Sequence, residues 1–467
     1  MEPVKHTDIQ ALASRVEGLV LSPGDEAYDR ERTGANLAVR HEPQVIVAAA
    51  RAEDVREAVR FAARHGLPVA VQCTGHGYAG AAREGVLVTT GRMTGVEVDP
   101  ARRTVTVEAG VRFEEVIAAA APHGLAPLNG SAPHVGVVSY VLGGGVGLLA
   151  RTFGYASDRV RALELVTAGG ELRRVTADGE PGLYWAVVGG RDNFGIVTRL
   201  EMDLVPVRRV YGGGLYYDAE AAPGLLGAYV RWAEGTPRAM NSSVALIPMP
   251  DDPEVPEPMR GRHVYHVRVA HTGSAAEGER LVAPLREAGP VLLEALHDMP
   301  YAESSAIHDE PPGAVPFQRE TALLGEAGDE VLSTLLEHAG PAAPLPAVVE
   351  LRHLGGALAE PPERPNAVPR TDAPFLLSVV TLLFGATAEE TRPMYEKLFG
   401  ALAPVSRGTS LNFLGFGANA GEDRVRAAYA PADLERLARL KAVHDPGNLF
   451  RLNYNIPPAA AGAAAAS

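Results

Sequence analysis

Three clusters of residues carry the types and spacing that chemistry needs. The first is the octapeptide Cys73-Thr74-Gly75-His76-Gly77-Tyr78-Ala79-Gly80. Backbone N–H groups in such a glycine-rich turn can converge on a pyrophosphate. His76 stands between two glycines and is presented with little steric shielding; alone, the octapeptide favours an ordinary loop histidine, since exposed loop histidines need no function. It is not the dinucleotide pattern G-x-G-x-x-G and no helical pattern follows it, which argues against a nicotinamide-dependent dehydrogenase. The second cluster is Gly136-Val137-Val138 followed by Leu142-Gly143-Gly144-Gly145-Val146-Gly147. Glycine among apolar residues implies backbone packed tightly against something, unlike the polar glycine of a linker. The third is Gly189-Gly190 with Asn193-Phe194-Gly195-Ile196-Val197. Together they fit one extended dinucleotide lying across a domain; three unrelated tight turns are the alternative.

The elements that must position these clusters are short. A β-branched strand over 43–48 runs into a helical pattern over 54–65, with Asp54 and Glu57 spaced as a capping box and Gly66 as the stop. A strand over 68–71 leads directly into the octapeptide, and another spans 86–89. Residues 97–99 with 104–108, and 160–167 with 172–176, read as hairpins, with a helix over 112–123 between them. From about residue 207 the texture changes to strands at 214–217, 243–247, 263–270 and 348–354, separated by proline-rich loops, with helices near 275–288 and 386–402. A strand over 411–415, a helix over 431–444 and a low-complexity tail close the chain. The expected organisation is α+β: a unit over 1–205, a second unit with an antiparallel sheet flanked by helices over 206–405, a returning segment over 406–458 and a mobile tail over 459–467.

In order along the chain stand GHGYAG (75–80), GSAPHVG (130–136), GGGVGLLARTFGYASD (143–158), LYWAVVGGRDNFGIVT (183–198) and DPGNLFRLNYNIPP (445–458). This succession resembles the FAD-linked oxidases of the vanillyl-alcohol oxidase superfamily, and more narrowly their berberine bridge enzyme-like branch. The resemblance spans about 28–458, dense before 206 and after 410 and sparse between. It implies a two-lobed FAD-binding domain, built from the N-terminal part plus the C-terminal segment, with an inserted substrate domain. It also implies that His76 is tied covalently to the flavin, which makes the ring a stronger oxidant. Thr74, Gly75, Gly77, Tyr78, Gly80, Gly136, Val137, Gly143, Gly144, Gly145, Gly147, Asn193, Gly195, Ile196, Val197, Asn453 and Asn455 become the expected cofactor contacts. Many relatives add a second tie through a cysteine where this chain has Ala132, so a single linkage is expected, as in the nicotine-oxidase type. Cys73 reads as a small apolar filler.

The chain departs from the family at 410–413, Ser-Leu-Asn-Phe, which lacks the tyrosine that serves as base in the antibiotic oxidases. Tyr140, Tyr454 and His353 are the remaining candidates for a proton acceptor, with His134 packed near the cofactor. The implied reaction is hydride removal from a small alcohol, amine or phenol-like secondary metabolite, with O2 as acceptor. A dehydrogenase, an oxygenating or rearranging enzyme on the same fold, and an inactive flavin-binding protein are alternatives.

A formal charge of −14 over 467 residues argues against nucleic acid as a partner. No stretch reaches the roughly 20 apolar residues of a membrane span. His263 and His266 fall on opposite faces of a strand, so no metal site is expected there. One cysteine and no basic-then-apolar N-terminal segment fit a cytoplasmic protein, monomeric or a homodimer, whose partners are a small molecule and O2.

Overall fold

The computed structural model describes residues 4–311, 313–415 and 421–460. The tail from residue 461 on therefore lies outside the described residues.

The first sheet has β1 (Leu19–Leu21), β2 (Val45–Ala48), β3 (Val69–Gln72) and β4 (Val86–Thr89) in the order β1-β2-β4-β3. β2, β4 and β3 are parallel, and β1 joins antiparallel at the edge. The helix Ala52–His65 covers one face with Val55, Ala58, Val59 and Ala62, the i, i+3, i+4, i+7 spacing that buries one side of a helix. It stops at Gly66, whose φ of 65° is the left-handed turn that a Cβ would disfavour. The expected capping box is absent: the helix begins at Ala52, and the buried Asp54 carboxylate instead accepts from the N–H groups of Glu17, Gly18 and Ala50. Those three bonds fasten the N-terminal segment to the sheet.

The second sheet is antiparallel: β5 (Val96–Asp99), β6 (Thr104–Glu108), β7 (Val160–Val166), β8 (Leu172–Thr176) and β9 (Ile196–Asp203), in the order β5-β6-β9-β7-β8. The third holds eight antiparallel strands: β10 (Arg209–Asp218), β11 (Met240–Pro248), β12 (His263–His271), β13 (Val291–Glu294), β14 (His297–Pro300), β15 (Phe317–Leu324), β16 (Val348–His353) and β17 (Phe375–Leu382). Its order is β13-β10-β12-β11-β16-β17-β15, with β14 also on β10. One face is apolar. Leu215, Tyr217, Val267, Val244, Leu351 and Leu377 pack against Leu225, Tyr229, Leu335 and Leu398 of the flanking helices. Each such side chain contributes about 1.5–3 kcal/mol on burial. The opposite face looks toward the first two sheets.

Arg151 bolts the glycine-rich segment to this third sheet. Its guanidinium donates to the carbonyls of Leu354 (2.9 Å), Pro237 (3.1 Å) and Met240, and its N–H donates to Asn241 Oδ1. The strand expected over 411–415 is instead one 3-10 turn, Leu411–Phe413. Asn412 explains it: Oδ1 accepts from Gly145 N–H (3.0 Å) and Nδ2 donates to the Tyr140 carbonyl (3.0 Å), contacts that a β-ladder would forfeit.

The chain returns to the first two sheets through the helix Pro431–His444 and the segment after it. Lys441 is fully buried; its Nζ pairs with Asp445 Oδ2 at 2.8 Å and donates to the carbonyls of Asn193 and Phe450. Asn193 in turn accepts from Ile456 N–H and donates to the Tyr454 carbonyl. Among the described residues no helix is long and apolar enough to cross a membrane.

Two predictions come from this architecture. Lys441→Ala leaves the Asp445 carboxylate buried without its cation, so stability should fall by about 3–5 kcal/mol. A lower thermal midpoint, partly restored by adding Asp445→Leu, is the expected result. Two buried histidines also set an acid limit. Burial, with Arg32 adding to it, lowers the His41 pKa to about 4; burial, with Arg151, lowers that of His353 to about 3. In the unfolded chain both lie near 6.5. Above that pH neither state takes a proton; below it the unfolded chain protonates first, so stability is lost as pH falls from about 6.5 toward 4. The thermal midpoint should be flat above neutrality and drop through this window, with a shallower drop in His41→Asn.

Candidate active site

A cavity of about 1220 Å³ lies between the two small sheets and the polar face of the eight-stranded one. Typical small-ligand pockets measure about 300–1,000 Å³, so this one holds more than a metabolite.

The octapeptide forms one wall. Gly75 has φ 71°, and a Cβ there would stand 1.8 Å from the Tyr78 hydroxyl and 2.6 Å from Gly34 Cα. The turn is held by Ala35 N–H on the Thr74 carbonyl, Asn36 N–H on the Gly75 carbonyl, and the Tyr78 hydroxyl on Gln72 Oε1 (2.8 Å). Thr74 Oγ1 accepts from Gly136 N–H and lies 2.8 Å from His76 Nδ1. His76 Nε2 is buried and, among the described residues, has no partner. Burial lowers the His76 pKa to about 4, with His134 (ring centroids 4.9 Å apart), Arg319 and Arg112 adding to it, so the ring is neutral at pH 7. Gly77 and Gly80 are on the wall, and a Cβ on either would meet no protein atom closer than 3.8 Å. Nothing in the protein's own packing requires glycine there.

The other expected contacts divide. Tyr78, Gly195, Ile196, Val197 and Asn453 line the same cavity, and so do Tyr140 and Tyr454. Asn453 Oδ1 is buried without a partner among the described residues. Thr74, Gly136, Val137, Gly143, Gly144, Gly145, Gly147, Asn193 and Asn455 are not on the wall. The glycines among them serve close packing within the protein. A Cβ at Gly136 would strike Cys73 Sγ, at Gly143 Asn412, at Gly144 Val368, at Gly145 Tyr140, and at Gly147 the Asn129 carbonyl.

The three candidate proton acceptors stand in different surroundings. Tyr140 packs edge-on against Phe113, and its hydroxyl has no partner among the described residues. Burial raises the Tyr140 phenol pKa well above 10, with Arg352 opposing. Tyr454 lies under Arg191, its hydroxyl 2.9 Å from the Tyr78 carbonyl and 2.6 Å from that of Gly415, so its one proton is shared by two backbone acceptors. Burial pushes its pKa up to about 12. His353 stacks on Phe375 and lines a small adjoining cleft of about 30 Å³ beside Arg151, not the wall of the large cavity.

The polar wall comes from residues that sequence reasoning did not single out for chemistry. The sheet register places Tyr216, His266, Ala245, Glu350, Ser378 and Thr321 in one cross-strand row, and Arg268, Ser243, Arg352 and Leu376 in the next. Glu350 Oε1 pairs with Arg268 Nη1 (3.3 Å) and Arg352 Nη2 (3.2 Å). These two guanidinium groups hold the Glu350 carboxyl far below the usual range against the opposing effect of burial. His266 stacks on Tyr216 at 4.0 Å and accepts from Arg268 Nε. The usable signal was a pair of polar residues two apart in an otherwise apolar strand: His266 with Arg268, and Glu350 with Arg352. Among the described residues no three His, Cys, Asp or Glu side chains gather as a metal-ligand set.

Comparison with known proteins adds the family. Residues 43–176 match a family model described as an FAD binding domain, and 411–457 match one described as berberine and berberine like. An (R)-6-hydroxynicotine oxidase of Paenarthrobacter nicotinovorans is 27% identical, over 95% of this chain and 97% of that one. An FAD-linked oxidoreductase of Dictyostelium discoideum is 24% identical over 96% and 97%. The solved structure of 6-hydroxy-D-nicotine oxidase from Arthrobacter nicotinovorans superposes with a TM-score of 0.80 at 26% identity, over 95% and 98%. A xylooligosaccharide oxidase from Myceliophthora thermophila shares the fold, with a TM-score of 0.83 at 20% identity over 97% and 100%. With its two matched segments at either end of the fold and the eight-stranded sheet between them, the chain belongs to the FAD-linked oxidases of the vanillyl-alcohol oxidase superfamily, in the berberine bridge enzyme-like branch.

Proposed function

We propose that this protein holds one FAD through a single covalent bond to His76, removes a hydride from a small organic substrate and passes the electrons to O2. The observation that carries the reading is the buried, unpartnered Nε2 of a neutral histidine on the wall of a dinucleotide-sized cavity. The residues present fit the cofactor. Gly77 and Gly80 leave room that no protein atom fills, Asn453 offers an unpaired acceptor, and no cysteine stands at 132 to make a second tie. FAD supplies a two-electron acceptor that takes a hydride and is reoxidised by O2 to give hydrogen peroxide.

The protein's own groups divide the remaining work. A His76 Nδ1–H donated to Thr74 Oγ1 leaves the ring's lone pair on Nε2, the nitrogen that has no partner among the described residues. Tyr140, kept protonated by burial, donates a hydrogen bond to the substrate heteroatom and orients it. Glu350, kept ionised by Arg268 and Arg352, accepts the proton that leaves with the hydride. Tyr454 and His353 take structural roles, since one hydroxyl is committed to backbone carbonyls and the other ring faces a different cleft. Residues 1–205 with 406–458 form the cofactor part and 206–405 the substrate part in this reading, supported by the eight-stranded sheet lying wholly within 209–382.

An absorption spectrum before and after acid precipitation tests the tie. Yellow colour should stay with the pellet and pass to the supernatant in His76→Ala; wild-type colour in the supernatant would refute it. For the proton chemistry, peroxide release should fall about 10²–10⁴-fold in Glu350→Gln and about tenfold in Tyr140→Phe, each at normal flavin content. Unchanged turnover in both variants would remove these two residues from the mechanism.

A further inference from the structure

The eight-stranded sheet turns three guanidinium groups and one carboxylate toward the cavity, while Asp309 and Glu310 line it from the segment before β15. Arg268, Arg319 and Arg352 face it, and the only carboxylate in the sheet rows between them is Glu350. Arg268 and Arg352 both pair with Glu350. Arg319 does not: among the described residues no carboxylate lies within ion-pair distance of it, and its Nε is shut off from solvent with no hydrogen-bond partner.

The side chain is nevertheless held in place. Its guanidinium lies 4.8 Å from the Phe413 ring centroid and 5.5 Å from that of Phe317. Aromatic faces stabilise a cation without using its N–H groups, so the hydrogen-bonding edge is left for something else. An arginine stays charged in any protein environment; Arg319 is partly open to the cavity, and Glu310 and Glu350 act on it only from beyond ion-pair distance. A site that keeps such a cation in a ligand-sized cavity is complementary to an anion. Beyond Arg319 the wall turns apolar, through Val380 to the exposed Leu382 and Phe384 at the rim.

We propose that Arg319 receives an anionic group of the substrate, a carboxylate or its equivalent, so that the enzyme acts on organic acids with an apolar body. The inference rests on the large cavity being the active site, and it goes further in naming the substrate class. Arg319 is then a specificity-determining residue: its N–H edge forms charge-assisted hydrogen bonds to the anion, and the phenylalanines fix their direction.

Isothermal titration calorimetry on the purified holoenzyme tests this with matched probes, benzoate against benzamide and 3-phenylpropionate against 3-phenylpropionamide. The acids should bind at least about tenfold tighter than their amides. The preference should vanish in Arg319→Met and persist in part in Arg319→Lys. Equal binding of acid and amide to the wild type, no binding of either acid at about 10 mM, or an acid preference that survives Arg319→Met would each overturn it. A preference that survives while the flavin spectrum shifts would assign the cation to the cofactor instead, and would equally overturn it. Heat is read with or without flavin, and flavin content is measured on the same samples. A protein lacking flavin therefore sinks the oxidase reading separately from the acid preference.

Discussion

The ammonium group of Lys441, wholly enclosed, meets Asp445 and two backbone carbonyls that belong to different parts of the chain, Asn193 and Phe450. A buried ion pair of this kind adds little net stability, because desolvation offsets attraction. What it supplies is register. It sets Asn193, whose side chain grips the backbone at Tyr454 and Ile456. Tyr454 then reaches the Tyr78 carbonyl, and Tyr78 buttresses Gln72 and the turn that carries His76. The histidine is thus placed by residues almost four hundred positions away.

The eight-stranded sheet solves a different problem with the strict two-residue period of a strand. One face is mostly apolar and backed by helices, with Ser242, Gln318 and Thr381 bonded to Tyr229, Thr391 and Tyr395 of those helices. The other is free to be polar because it looks into a cavity and not into a core. On that face charges recur at i, i+2 within a strand and meet across strands in register, so Glu350 sits between Arg268 and Arg352 without any loop having to be positioned. Groups mounted on paired strands hold their geometry better than groups on loops.

Much of this was legible in the sequence. The β-branched runs, the helix ending at Gly66 and the two small hairpins follow from local patterning and reappear in the structure with shifts of a residue or two. Some glycines were legible as close approaches, but the sequence could not say to what. Gly77 and Gly80 face open space, whereas Gly143 to Gly147 make room for Asn412, Tyr155, Tyr140 and Asn129. β15 and β17 went unread for opposite reasons. Phe317–Leu324 breaks alternation because Arg319 points into the cavity, and Phe375–Leu382 is almost uniformly apolar, a pattern that length alone cannot assign. The residues with the most chemical potential are those that spoil the pattern by which strands are recognised. Asn412 had the same effect at 411–415, where its side chain bonds Gly145 and Tyr140 from a 3-10 turn and no strand forms.

The walls of the cavity come from segments scattered between Ala35 and Tyr454, and bonds that close it span great lengths of chain, such as Asn36 to Phe317 and Asn412 to Gly145. Contacts of such long range form late, because loop-closure entropy must be overcome before they return anything. No single sheet of this protein therefore supplies the whole cavity wall. During synthesis the first two sheets are made long before the helix Pro431–His444, so the contact from Tyr454 is the last support of the His76 turn to form, after those from Ala35, Asn36 and Gln72. The turn is thus laid down early in the sequence and fastened late: Leu452 to Tyr454 follow every other described residue of the cavity wall.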